Sequence, residues 1–201
     1  MKAFVFDTET TGFIVRDGRL DQQPYIIQFA GILGEISEEH GFVEIDRINI
    51  LIKPPISIPF ASSQVNGIYD RDVVDKEPLS HHIDEIMNFI NVRTDIAVAH
   101  NIEYDRDVIS YELERLGRAG DFHPKQSLCT MRSSTEYCQL QWRGISFKPP
   151  RLNELYKHLF GTWFEWAHDA MVDVEATSRA FGELVKRWII TIEEPTEMRL
   201  F

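Results

Sequence analysis

The sequence predicts an α/β domain built on one mixed sheet: three antiparallel strands come first, strand–helix units follow, and helices pack on the sheet. Residues 3 to 52 hold three apolar or period-two runs joined by short polar turns. From Ile83 onward, apolar residues recur at the i, i+3, i+4, i+7 spacing of amphipathic helices around one short apolar run. Size agrees with this, since 201 residues with 43% hydrophobic and 26% charged side chains suit one domain that buries roughly 70% of its unfolded surface without disulfides or a structural metal. No internal repeat, low-complexity tract or linker interrupts the chain. The expectation is a single domain over residues 1–190 with a short tail over 191–201.

Ala3 to Phe6 form a continuously apolar run, as expected of a central strand buried on both faces and ending at Asp7. Tyr25 to Leu33 make a second strand. The polar turn Ser37 to Gly41 leads into Val43 to Ile52, where Val43, Ile45, Ile48, Ile50 and Ile52 recur mostly at period two. Pro54, Pro55 and Pro59 close this meander, because proline cannot donate to a ladder. Ile83, Ile86, Met87 and Ile90 predict a helix and Ile96 to Ala99 a short buried strand, after which a helix capped by Asn101 runs to Gly117. Later helices are expected at Leu152 to Phe160, stopped by Gly161, and from Asp169 to about Trp188. The last has a wide stripe of Val174, Phe181, Leu184, Val185 and Trp188. Gly144 to Arg151 reads as a loop.

Lysine and arginine number 21 against 32 acids, a net charge of −11, and the sequence pI is near 5.1. A protein that grips duplex through a basic stripe is thereby excluded, and any nucleic acid must be held locally. Cys129 and Cys138 are too few for a disulfide framework and too far apart for a CxxC motif, which suits a reducing compartment. Met1 to Phe6 runs straight into Asp7, too short for a signal peptide, and no run approaches ~18 apolar residues. The expectation is a cytoplasmic protein with no membrane contact.

The informative residues are acids at positions that periodicity assigns to the interior. Asp7 ends the first strand, and Glu9, two residues on, points to the same side. Asp105 interrupts the helical stripe of Ile102, Ile109, Leu113 and Leu116, and Asp173 shares a face with Ala176, Ala180 and Leu184. A cap, a salt bridge or a surface position explains any one of these acids alone. All four together are harder to explain that way: an unpaired buried carboxylate costs several kcal/mol, so such a group must be neutralised, paired or bound to a cation, and these segments show no matching set of inward arginines. Hard oxygen donors without a Cys or His cluster favour Mg²⁺ or Mn²⁺ and point to two-metal phosphoryl-transfer chemistry.

Asp7-Thr8-Glu9-Thr10-Thr11-Gly12, His100-Asn101-Ile102-Glu103-Tyr104-Asp105 and His168-Asp169-Ala170-Met171-Val172-Asp173-Val174-Glu175-Ala176-Thr177 resemble the three motifs of the DEDDh, or DnaQ-like, 3′→5′ exonucleases. That family includes the proofreading epsilon subunit of bacterial DNA polymerase III. The resemblance runs over about residues 2 to 185 and takes in Asn66-Gly67-Ile68 and Arg151-Leu152-Asn153-Glu154-Leu155. It implies an RNase H-like fold in which Asp7, Glu9 and Asp173 hold one metal. Asp7 then reaches a second, where Asp105 acts directly or through water. His168, five residues before Asp173, resembles the family's general base, which suits an imidazole titrating near neutrality.

Substrate-side expectations follow from the same resemblance. Thr10, Thr11 and Gly12 lie beside the terminal nucleotide, Tyr104 stands where the family often has Phe, and Asn66 where it frequently has His. Arg143, Lys148 and Arg151 gather positive charge before the third motif, either as solvated loop charges or as a patch that holds a strand. The implied partner is a nucleic acid with a free 3′ end, DNA favoured over RNA. The ending Leu200-Phe201 loosely resembles peptides that dock on sliding clamps, so a polymerase or clamp partner is a further expectation. Competing readings are an exoribonuclease or oligonucleotide phosphodiesterase, and a non-catalytic nucleic-acid-binding module.

Overall fold

A computed structural model describes residues 1–141, 144, 146–164 and 169–192. Strands β1 (Lys2–Thr10), β2 (Ile26–Ser37), β3 (Gly41–Leu51), β4 (Ile96–Ala99) and β5 (Ser127–Cys129) form one sheet in the order β3-β2-β1-β4-β5. The first three are antiparallel, whereas β4 runs parallel to β1 and β5 parallel to β4. Helices α1 (Phe60–Asn66), α2 (Asp70–Val73) and α3 (Ile83–Met87) follow the meander, and α4 (Ile102–Arg115) connects β4 to β5. After β5 come α5 (Thr130–Ser133), α6 (Thr135–Cys138), α7 (Leu152–Phe160) and α8 (Ala170–Lys186).

The side-chain alternation of β1 divides the core in two. Phe4 and Phe6 stack with Phe29 and pack against Ile86 and Ile90 and against Ile109 and Leu113 of α4. Ala3 and Val5 face the other way, toward Leu155 of α7 and Val174, Phe181 and Leu184 of α8. Carried along the strand, the same alternation turns Asp7 and Glu9 toward α8, and Thr8 and Thr10 toward α4. Helix α8 lies close over the β2–β3 turn because Gly182 has no side chain; a Cβ there would sit 2.7 Å from the backbone nitrogen of Phe42.

Four expectations are corrected. First, β1 does not end at Asp7: β2 goes on pairing with it as far as Thr10↔Ile26, past a register shift between Glu9 and Thr10. Second, Val43 and Ile45 are each 51% exposed, while Ile48 and Ile52 are buried. The register passes from Leu33↔Asp46 to Gly34↔Glu44, leaving Ile45 as the unpaired extra residue of a bulge, and Val43 stands on the edge strand opposite Glu35, itself exposed. Third, Asn101 precedes α4 in a left-handed conformation, φ 78°, with no side-chain cap bond. Fourth, Trp188 is exposed because α8 ends at Lys186 and the chain turns at Trp188 with φ 60°, and Leu116, beyond the end of α4, is also exposed.

Candidate active site

The four acids arrive at one end of the sheet by different routes. Asp7 and Glu9 come from the last residues of β1, Asp105 from the first turn of α4, directly after β4, and Asp173 from the first turn of α8. Because β1 and β4 are parallel, their carboxyl ends lie side by side, which is where open α/β sheets form crevices. Among the described residues, Asp7, Glu9 and Asp173 each bring one carboxylate oxygen within 4.8 Å of the others. Asp105 stands outside this trio and is 2% exposed. Its Oδ1 accepts from the backbone N–H of Thr8 at 3.1 Å and from the Thr8 hydroxyl at 2.8 Å.

Burial and the neighbouring negative charges perturb Asp7 and Glu9, and burial perturbs Asp105. Burial, then the charges of Asp105, Glu9, Asp173 and Asp169, hold the Asp7 carboxyl well above its ordinary range. Glu9 is pushed up to about 8 by burial and by Asp173, Asp105 and Asp169, against an opposing hydrogen bond from Asn66. Burial raises Asp105 to about 7 even though its bonds from Thr8 favour the charged form. Glu112, which sequence reasoning missed, shows what an internally compensated acid looks like. It is buried, its Oε1 accepts from the N–H of Ile26 at 2.9 Å, and the inward-turned Arg115, also missed, lies 3.2 Å from its Oε2.

The acids line a cleft of about 720 Å³ whose walls include Thr10, Thr11, Gly12, Phe13, Asn66, His100, Asn101 and Tyr104. The hydroxyls of Thr10 and Thr11 take part in the cleft's own construction. Thr10 Oγ1, the Tyr104 hydroxyl and the Gly12 carbonyl form a closed triangle of 2.7, 2.8 and 2.9 Å. The Thr11 hydroxyl accepts from the N–H of Tyr25. The amide of Asn66 donates to the Thr10 carbonyl at 3.3 Å, and its oxygen accepts from the N–H of Ile68. Phe13, 86% exposed at the mouth, and Thr8 were missed by sequence reasoning; the short Gly12-Phe13 step after the first motif was the available signal for the former.

Of the basic loop, Lys148 is engaged rather than free, with Nζ 2.6 Å from Glu154 Oε1. Arg151 is exposed and lines a separate cleft of about 490 Å³ with Asn153, Trp163, Phe164 and Asp173. Arg143 and His168 lie outside the described residues. His100 anchors the end of this loop. The Pro150 carbonyl can only accept, so His100 Nε2 carries the proton, and Nδ1 accepts from the Thr130 hydroxyl, both at 3.0 Å. Burial lowers this imidazole to about 4 and keeps it neutral.

The fold and the acid cluster together define an RNase H-like nuclease domain, and solved structures agree on the fold. The exonuclease I–single-stranded DNA complex of E. coli superposes with a TM-score of 0.73 at 20% identity over 92% of this chain and 40% of that one. The nuclease domain of 3′hExo, a DEDDh family member bound to rAMP, superposes with a TM-score of 0.71 at 13% identity over 96% of both chains. The exonuclease family profile matches residues 4–181, and the chain belongs to that family. Curated relatives include the 3′-5′ exonuclease DinG of Bacillus subtilis strain 168, 28% identical over 91% of this chain, and the PolC-type DNA polymerase III of Listeria innocua, 28% identical over 90%. The chain spans only 17% and 11% of those two proteins. Among the described residues no helix is long and apolar enough to cross a membrane.

Proposed function

We propose that this chain is a divalent-cation-dependent 3′→5′ exonuclease that hydrolyses the terminal phosphodiester of a single-stranded or frayed DNA end and releases nucleoside 5′-monophosphates. The observation that carries this is the meeting of Asp7, Glu9 and Asp173 within 4.8 Å at the floor of the cleft. The donor set fits a hard cation: it is all carboxylate oxygen, and mutual repulsion and burial, with no basic side chain among their causes, raise Asp7 and Glu9. Asp7, Glu9 and Asp173 would hold one ion, Mg²⁺ or Mn²⁺, and Asp7 and Asp105 a second. Bound there, the ions supply Lewis-acid neutralisation of phosphate charge.

The protein's own residues do the rest. Thr8 holds Asp105 in place through two hydrogen bonds to one oxygen. The Thr10–Tyr104–Gly12 triangle stiffens the turn after β1, where a nucleotide backbone approaches closely. His168 takes the proton from the attacking water, a role carried over from its place in the third motif. Arg151 and Arg143 hold the strand by its phosphates. The reading includes one exonuclease domain over residues 1–190, a cytoplasmic setting, and work in replication or repair. A polymerase or sliding clamp as partner rests on the tail, residues 193–201 of which lie outside the described residues.

The preference for DNA is supported by the names of the relatives, a DNA polymerase and a nuclease crystallised with single-stranded DNA, while the rAMP bound to 3′hExo keeps RNA as the alternative. Matched 5′-labelled DNA and RNA strands, incubated with Mg²⁺, with Mn²⁺ or with EDTA, test the proposal. A ladder shortening from the 3′ end of DNA, abolished by EDTA, is expected. Cleavage indifferent to EDTA refutes the cation, and faster loss of RNA replaces DNA as substrate.

A further inference from the structure

Gln28 interrupts the longest apolar run of the meander and is 4% exposed, yet nothing in the chemistry above uses it. It lies directly opposite Glu9 in the β1–β2 ladder, so its side chain shares the face that looks toward α8. Its two ends are committed. The N–H of Ala170 can only donate, which fixes Gln28 Oε1 as the acceptor, at 3.2 Å, and leaves Nε2 to donate to Asn49 Oδ1 at 3.0 Å.

Ala170 is the first residue of α8, and helix starts leave their leading N–H groups without intrahelical partners. Asp169 caps two of them, with its Oδ1 accepting from Met171 and Val172, and its carbonyl accepts from Asp173. The N–H of Ala170 is left over, and Gln28 takes it. The apolar packing of Val174, Phe181 and Leu184 decides which face α8 presents to the sheet, but burial is non-directional and leaves the position of the helix start loosely specified. The hydrogen bond that the first residue of the Asp173-bearing helix donates to Gln28, the ladder partner of Glu9, is directional.

We infer that Gln28, oriented by Asn49, is a positioning residue for the cation site: it sets the start of α8 against β1 and so holds Asp173 at ligand distance from Glu9 and Asp7. The inference rests on the cation reading proposed above. Partners behind metal ligands are worth roughly 10–100-fold in affinity when removed.

The test measures Mn²⁺ binding to the full chain by electron paramagnetic resonance, without nucleic acid, alongside circular dichroism and thermal melting in EDTA. Gln28→Leu keeps the volume and removes both polar ends, and should weaken Mn²⁺ binding roughly 10–100-fold in a protein that still melts cooperatively. Asn49 is exposed, so Asn49→Ala leaves the core intact. It removes only the group that orients Gln28 and should weaken binding by roughly two- to tenfold, the worth of one neutral hydrogen bond. Saturating Mn²⁺ should return most of kcat in both variants, with KM for the oligonucleotide unchanged. Mn²⁺ affinities within twofold of the wild type in either folded variant overturn the inference and leave the cation reading standing. A wild-type chain that binds no Mn²⁺ overturns both. Should Gln28→Leu fail to fold, Asn49→Ala decides alone.

Discussion

In the absence of cations, Glu9→Gln should stabilise the protein, and the gain should depend on pH in a defined sense. The carboxyl of Glu9 titrates at about 8 in the folded chain against 4.5 as its ordinary value. Between those limits the folded protein binds more protons at this site than the unfolded chain, so stability is highest below the lower value and is lost as pH rises through the upper one. At pH 7 the deficit amounts to about 1.36 × 2.5, or ~3 kcal/mol, as a ceiling. Glu9 shares its field with Asp173, Asp105 and Asp169, which readjust when it is neutralised, so about 1–3 kcal/mol is the expected gain. For a chain of this size that is about 3–10 °C in melting temperature. Differential scanning calorimetry in EDTA should show the gain at pH 7 and its decline to under about 1 kcal/mol at pH 5. Saturating Mn²⁺ should then stabilise the wild type more than the variant, because a ligand bound only by the native state raises stability by mass action. Equal melting temperatures at pH 7, or a gain that persists undiminished at pH 5, would refute the argument that repulsion among buried acids strains this site.

Three further outcomes are expected. His168→Ala should lower turnover by roughly 10²–10⁴-fold while Mn²⁺ binding and KM change little; single-turnover rates with near-normal values would return the proton to another acceptor. Arg151→Ala should weaken oligonucleotide binding and reduce the slope of log K against log salt by about 0.7, the contribution of one single-strand phosphate contact. Lys148→Ala should leave that slope unaltered because its ammonium is already paired with Glu154, and fluorescence anisotropy across a salt series separates the two.

The acid cluster was legible in the sequence because its members sit in short segments. Asp7 and Glu9 are two residues apart on a strand, and strand alternation alone places them on one side. Asp105 and Asp173 stand out because each is an acid within a helical apolar stripe. The antiparallel meander, the short strand at Ile96–Ala99 and the long final helix are all written in local periodicity, and the three motifs in chain order sufficed to indicate the family. Tertiary structure decided what depends on pairing at a distance. The bulge that leaves Ile45 unpaired is a property of the β2–β3 register, which residue alternation within β3 does not encode. Lys148 reads as a free charge until Glu154 is folded against it, and the hydroxyls of Thr10 and Thr11 read as available until Tyr104 and Tyr25 reach them. Gln28 and Ala170 are 142 residues apart, and the contact between them exists only because the sheet brings β2 beneath the start of α8. Periodicity reports which face of an element is buried; it carries no information about which partner meets that face or at what height. Hydrogen bonds and ion pairs, which act over a few ångströms and in fixed directions, are therefore settled only when the chain has closed on itself.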